Sequence, residues 1–266
     1  MIIFGDPGFL WVNIPMISAD MKGRTGNNLF QIAAAEALAR RVGTSAAFDL
    51  SRNHLRTTLL RNVAHISNYA ATNHFIQSGF GYREMPLKDD LRLTGWFQSE
   101  KYFLDFSDHI GDLFHLDEGD IQKIRGVFGP IMDGNVTTAM HVRRGDYVHF
   151  PDKHPICGME YYTNAMDYLR ETGKENKFIL VSDDMKWVRE NFKGDDILYS
   201  PFNDILMDLT LMTCMDNNII ANSTFSWWGA YLNRTPSKKV VAPLRWFGDR
   251  GPQERDDIVP ANWTRL

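Results

Sequence analysis

The second half of the chain alternates short apolar runs with amphipathic stretches. Val136 to Val142 (VTTAMHV) is rich in β-formers. Met159 to Thr172 repeats apolar residues at Met159, Tyr162, Met166 and Leu169, the spacing of one helix face. Phe178 to Val181 (FILV) predicts a buried strand, Met185 to Phe192 a helix, and Ile197 to Tyr199 a second short strand. Ile205 to Met215 predicts a helix with a wide apolar face. Asn218 to Ala221 and Lys239 to Ala242 predict strands flanking a helix from Thr224 to Asn233. Short apolar strands alternating with helices imply an α/β fold with a parallel sheet covered on both faces.

The first half is less regular. Gly23 to Asn28 (GRTGNN) leads into a predicted helix from Leu29 to Val42, with Phe30, Ala33, Ala34, Ala37 and Leu38 on one face, and a strand from Ala46 to Leu50 follows. Leu91 to Tyr102 reads as a strand running into a loop or helix start. The apolar run Phe9 to Ile17, interrupted by Asn13 and Pro15, predicts a buried strand rather than a signal peptide or membrane span. Residues 51–81 carry mixed signals and predict no element. Gly126, Gly129, Pro130 and Gly134 mark a boundary that divides the chain into lobes 1–130 and 131–266.

Composition narrows the function classes. Over 266 residues, 44% are apolar and 23% charged, as in soluble globular proteins, and there is length for one large domain or two small ones. The formal charge of −4 offers no global attraction to nucleic acid or to an anionic membrane, so any anion site must be local. No segment reaches a membrane-spanning length, and contact with a membrane would be peripheral. Two cysteines, Cys157 and Cys214, form no disulfide framework and fit a reducing, cytoplasmic setting. Sequons occur at Asn135, Asn222 and Asn262, but Asn222 lies in a run that reads as buried.

Parallel sheets bind ligands at the carboxyl ends of their strands, and three polar clusters fall there: HVRRGDY (His141 to Tyr147), SDD (Ser182 to Asp184) and NSTFS (Asn222 to Ser226). Adjacent guanidiniums at Arg143 and Arg144 need an anion or carboxylate, and a diphosphate would supply one through bidentate bonds. A structural pair with Asp146 is the competing reading. Successive strand residues face opposite ways, so one arginine can meet a ligand while the other ties the loop. Of Asp183 and Asp184, one is expected to cap the next helix and the other to meet a guanine edge, ribose or metal. Ser223 and Thr224 at a helix start either cap it or add to an anion site. Trp227 and Trp228 read as core. The chain holds no Asp-x-Asp, Walker A, H-E-x-x-H or zinc spacing, so no metal site is expected, and arginine with helix ends would have to hold a diphosphate.

Taken together the clusters resemble the bacterial-type α-1,2-fucosyltransferase family, glycosyltransferase family 11, within the fucosyltransferases that share an HxRR-type motif. The matching segments are GRTGNNLFQIAAAEALA, LTGWFQSEKYF, HVRRGDY, FILVSDDMKWV, DLTLMTCMDNNIIANSTFSWWGAYLN and the terminal DIVPANWTRL, in family order across nearly the whole chain. At the glycine loop the family more often has GGLGNQ. The resemblance implies a GT-B-like fold of two Rossmann-type lobes with the donor cleft between them, the acceptor side in 1–130 and the nucleotide-sugar side in 131–266. It implies inverting transfer of L-fucose from GDP-β-L-fucose to a glycan acceptor hydroxyl, O2 of a galactoside, with no cofactor or metal. Carried over by position, Arg143 contacts the diphosphate, with Arg144 and His141 in support. Asp183 reads guanine or ribose, Ser223, Thr224 and Ser226 bind phosphate, and Asn27 and Asn28 face the donor from the other lobe. The acceptor proton needs a base. Asp146, Glu100 and Asp20 are the candidates, and Asp146 stands beside Arg143. The alternatives are another nucleotide sugar such as GDP-mannose, or a non-catalytic nucleotide- or carbohydrate-binding protein.

Overall fold

The computed structural model describes residues 15–171 and 175–266. Two all-parallel sheets organise them. The first, in the order β2-β1-β4-β3, comprises β1 (Met16–Ala19), β2 (Ser45–Ala46), β3 (Asn73–Ile76) and β4 (Leu91–Thr94). The second, in the order β10-β9-β8-β5-β6-β7, comprises β5 (Val136–Val142), β6 (Asn176–Ser182), β7 (Ile197–Tyr199), β8 (Asn217–Ile219), β9 (Val240–Ala242) and β10 (Thr264–Arg265). The helices are α1 (Thr25–Val42), α2 (Ser107–Leu113), α3 (Glu118–Met132), α4 (Met159–Arg170), α5 (Met185–Asn191), α6 (Ile205–Cys214) and α7 (Thr224–Leu232).

The elements expected in the second half all form, with ends shifted by a residue or two; Thr172, the expected end of α4, lies outside the described residues. In the first half, α1 starts four residues before Leu29, and the strand expected from Ala46 to Leu50 shortens to β2 plus a single bridge from Phe48 to His65. The expected apolar strand from Phe9 lies outside the described residues up to residue 14. Residues 51–81 are mostly turns held by side-chain bonds, such as Leu50 N–H to His65 Nδ1 at 3.0 Å and Leu55 N–H to Asn53 Oδ1 at 3.0 Å. Only β3 forms there, an edge strand that leaves His74 and Ile76 exposed. The expected cut at 130/131 falls inside α3, which packs on α6 and so travels with the second sheet.

Strand alternation divides the second sheet's side chains between two cores. Ala139, Ile179, Val181 and Ile220 join the buried residues of α6 and α7, whereas Met140, Val142, Leu180 and Ile219 join those of α4 and α5. The first of these cores continues without a break into α1 and the first sheet. Phe30 of α1 lies 4.5 Å from the Trp227 ring and 5.0 Å from Trp228, and the Trp228 Nε1–H donates to Gly26 O at 3.0 Å. Both tryptophans are fully buried, in keeping with a core role. Gly26 is the tightest point of this joint: a Cβ there would lie 2.5 Å from the Thr224 carbonyl carbon. The amino ends of α1 and α7 therefore touch.

Candidate functional site

In the second sheet the strand order reverses once, between β5 and β8. The loops leaving such a switch point diverge and open a crevice. Here that crevice faces the carboxyl ends of β1 and β4 across a cavity of about 590 Å³, lined by Gly23 to Asn27 after β1, Trp96 and Gln98 after β4, Arg143, Asp146 and Tyr147 after β5 and Asn222 to Phe225 after β8.

Parallel register sets the central charges. Val142 pairs with Ser182, so the next residues, Arg143 and Asp183, emerge side by side. The Arg143 guanidinium donates to Asp183 and to Asp146, and it covers the Tyr147 ring at 4.9 Å. Asp146 in turn accepts from Arg24 Nη2 at 3.2 Å, across the cavity. Arg24, Asp146, Arg143 and Asp183 thus form one chain of alternating charge. Arg144 takes the opposite parity. It stays outside the cavity wall, bonded to Asp184 at 3.1 Å and lying 3.9 Å above the Trp187 ring of α5.

Two helix ends aim at the same space. Among the α-helices of the described residues, α1 and α7 alone have neither an acidic N-cap nor an acidic residue in the first turn. Their N-caps, Arg24 and Ser223, make no side-chain capping bond, whereas Asp117, Asp184 and Asp204 cap α3, α5 and α6. Free N–H groups and the positive end of each dipole are therefore left for an anion.

Of the residues expected at the site, Asn27, His141, Arg143, Asp146, Asp183, Ser223 and Thr224 line the cavity; Asn28, Arg144 and Ser226 do not. Buried Asn28 holds Lys22 O at 3.0 Å, and the Ser226 hydroxyl donates to Ala221 O and Ser223 O, so both are spent on local structure. Asp183 faces the cavity, but both its oxygens are taken, by Arg143 and by the Arg144 N–H at 2.9 Å. In this arrangement it orients Arg143. Asp184 is the N-cap of α5, accepting from Trp187 N–H at 3.2 Å. Burial, with Arg143 adding, pushes His141 down to about 3, so it presents a neutral imidazole. Glu100 and Asp20 lie off the cavity; Asp20 is bonded to Thr94 Oγ1 at 2.6 Å and paired with Arg92 at 2.9 Å. Sequon Asn222 is buried, its amide donating to Pro155 O and Trp246 O.

Three further residues complete the site. Arg24 comes from the glycine loop. Trp96 comes from LTGWFQS, whose loop is pinned where Gln77 Oε1 accepts from the N–H groups of Trp96 and Phe97 at 2.9 and 3.0 Å. Asp208 breaks the apolar run of α6; it lines the cavity, accepts from Ser200 Oγ at 2.8 Å, and is raised by burial to about 6. Asp208 has no cationic partner among the described residues. The cavity is therefore polar at the β6–β7 end, with Asp208 and Asn203, and aromatic at the other, with Phe80, Trp96 and Phe247. Among the described residues no group of three or more His, Cys, Asp or Glu is arranged to hold a metal ion, and no helix is long and apolar enough to cross a membrane.

The family model of glycosyl transferase family 11 matches residues 50–266. An Escherichia coli protein, O-antigen biosynthesis glycosyltransferase WbnK, is 28% identical over 92% of this chain and 99% of its own length. An α-1,2-colitosyltransferase of Escherichia coli is 30% identical over 68% of the chain, and galactoside α-(1,2)-fucosyltransferase 1 of Bos taurus is 30% identical over 80%. The chain spans 64% and 65% of the lengths of those two. The crystal structure of NodZ α-1,6-fucosyltransferase soaked with GDP-fucose superposes with a TM-score of 0.52 at 14% identity, covering 82% of this chain and 92% of that one. The fold is thus the GT-B-like arrangement of two parallel α/β sheets facing a common cleft.

Proposed function

The chain belongs to glycosyltransferase family 11, and on that premise we propose that it transfers L-fucose from GDP-β-L-fucose to O2 of a galactoside at a glycan end, inverting the anomeric carbon without a metal. The observation that carries this reading is the convergence of Arg143 with the acid-free amino ends of α1 and α7 on one cavity. As the acceptor oxygen bonds to C1, the C1–O bond to the β-phosphate breaks and its electron pair stays on GDP. The new charge falls among donors already in place, which stabilises the transition state more than the ground state.

Each neighbour has a part in this reading. Ser223, Thr224 and the α7 N–H groups take the diphosphate, with Asn27 and the α1 end on the opposite side. Asp208 accepts from the guanine N1–H and N2–H₂ edge, the role first expected of Asp183. His141 offers the donor a neutral N–H. Arg24 and Arg143 turn from Asp146 toward the diphosphate, and the freed Asp146 carboxylate accepts the acceptor proton. The lobe of the second sheet, with α3, holds the nucleotide, and the lobe of the first sheet closes over the diphosphate and holds the acceptor. Both cysteines are unpaired, which accords with a cytoplasmic location.

A second reading keeps the site but changes the sugar, because one relative is an α-1,2-colitosyltransferase. Titration with GDP, GDP-fucose, GDP-mannose and UDP, followed by transfer from labelled GDP-fucose and GDP-colitose to galactosides, separates the two. Arg143→Ala should lower kcat/KM by about 10²–10³-fold, as loss of a transition-state donor does. Equal rates in that variant, or a preference for UDP, would overturn the proposal.

A further inference from the structure

Most arginines of this fold are tied to a neighbour, as Arg41 is to Asp105 and Arg189 to the Tyr199 ring. Among the described residues, only Arg52, Arg56, Arg61 and Arg125 make no hydrogen bond, ion pair or ring contact. The first three of these belong to one stretch, Leu50 to Tyr82, that holds three arginines and three histidines but no Asp or Glu, in a chain of net charge −4. Burial sorts the segment into two sides. Leu55, Leu59, Leu60 and Val63 are buried in the core, whereas Arg52, His54, Arg56, Thr57 and Arg61 are exposed. Turn bonds fix the backbone between them, Arg56 N–H to Asn53 O at 3.2 Å and Arg61 N–H to Thr58 O at 3.0 Å. The neighbouring carboxylate, Asp49, is taken by the Ser51 N–H and hydroxyl at 3.0 and 2.6 Å. Because β2 runs parallel to β1, the segment leaves the first sheet at the end that carries the glycine loop, and Asn53 Nδ2 ties it to Asn28 Oδ1 at 3.3 Å.

Unpaired guanidiniums on the outer side of anchored turns attract an anionic partner. They line neither the 590 Å³ cavity nor the neighbouring groove of about 400 Å³, so they enclose no small ligand. Ser51 to Val63 holds no Phe, Tyr or Trp on which a nucleic-acid base could stack. The headgroup layer of a bilayer needs neither enclosure nor stacking. Its field reaches about one Debye length, about 10 Å, so it acts on the apposed arginines and not on the net charge of the whole chain. We propose that Arg52, Arg56 and Arg61 dock the lobe of the first sheet on an anionic phospholipid surface. The segment's leucines are buried, so nothing apolar inserts and the attachment is electrostatic and reversible. Docking needs neither donor nor acceptor, so its test stands apart from the glycosyl-transfer reading.

Co-sedimentation of the full chain compares phosphatidylcholine vesicles with vesicles that contain about 30% phosphatidylglycerol, at about 50 and about 300 mM salt. The protein should sediment with the anionic vesicles at low salt and with neither kind at high salt. Each arginine is worth about 5-fold in partitioning, so Arg52→Ser, Arg56→Ser and Arg61→Ser combined should weaken binding by about 100-fold. The corresponding triple lysine variant should bind like the parent, and so should Arg125→Ser. GDP affinity and Tm of the serine variant, measured alongside, should match the parent's. No sedimentation with anionic vesicles, equal sedimentation with neutral ones, an unchanged serine variant, or an equal loss in Arg125→Ser overturns the proposal. So does displacement by glycerol phosphate at matched headgroup concentration, which would mean a site for one phosphate. Binding of a duplex oligonucleotide through the same arginines, in place of vesicles, overturns it as well.

Discussion

Arg24 and Asp146 meet across the cavity, Nη2 to Oδ2 at 3.2 Å, joining the N-cap of α1 to the turn after β5. Asp146 also holds Arg143, so one carboxylate occupies both guanidiniums of the proposed diphosphate site. The Arg24 side chain is 70% exposed, and an exposed pair of this kind contributes little to stability. It can therefore be exchanged for a diphosphate, whose charge-assisted bonds are worth about 1.5–3 kcal/mol each.

Opposite effects of two substitutions follow. Arg24→Ala should weaken GDP binding by about 10-fold and GMP binding far less, because GMP lacks the β-phosphate. Asp146→Asn should tighten GDP binding, by removing the competing anion, yet slow transfer by about 10²-fold or more through loss of the base. Calorimetric titration with both nucleotides and a transfer assay read these out. If both variants weaken GDP equally, the pair is a strap and the exchange does not occur.

Asp208 makes the guanine assignment dependent on pH. Its carboxyl, raised from 3.8 to about 6 by burial, binds a proton more tightly in the folded state than in the unfolded one. Ionisation therefore costs stability across the window from about 4 to about 6, and the full cost persists above it. Asp208→Asn should be more stable than the parent at pH 8, by about 1–3 kcal/mol, with the gap closing as pH falls toward 4. Guanine donors favour the ionised form, so GDP affinity of the parent should decline below about pH 6. The Asn variant should lose its preference for GDP over UDP and show no such decline. Thermal melts and titrations over pH 4–8 supply both curves.

Gly26 tests the joint between the sheets. Its missing side chain lets the α1 end touch the Thr224 backbone, which cannot give way as a flexible side chain would. Gly26→Ala should destabilise the fold by about 1–3 kcal/mol through overpacking. It should also lower GDP affinity, because the two helix ends are forced apart. A Gly26→Ala protein that melts and binds GDP like the parent would show that their convergence is not needed for binding.

Metal removal should have no effect. With Arg143, Arg24 and two helix ends as the electrostatic partners of the diphosphate, transfer after extensive EDTA treatment should keep its rate within error. Loss of more than about 10-fold, restored by Mg²⁺ or Mn²⁺, would show that a cation carries part of the leaving-group charge.

The local rules wrote much of this protein into its sequence. The apolar strands and amphipathic helices of the second half were legible because period and burial coincide there; FILV and ILMDLTLMTC need no distant partner to be recognised. HVRRGDY, SDD and NSTFS could be placed at strand ends for the same reason. Residues 51–81 had no period to read, since their backbone is held by turn bonds and by β3, an edge strand. Gly126, Gly129 and Pro130 suggested a break, yet the amphipathic face of α3, capped by Asp117 and packed on α6, keeps them helical. Asp208 did leave a trace, a lone carboxylate in an apolar helix; Arg24 lay in the glycine loop already expected to face the donor, but neither it nor Trp96 was marked by a local pattern of its own.

Which elements form and which polar residues end the strands could be read locally, because both follow from neighbours one to four positions apart. Which charges meet depends on the assembled fold. Arg143 rather than Arg144 faces the cavity because strand parity sends the second toward Asp184 and Trp187. Arg24 reaches Asp146, 122 residues away, because the Phe30, Trp227 and Trp228 contacts bring α1 and α7 end to end. Pairings at that distance are set by packing of the whole core, and no local pattern encodes them.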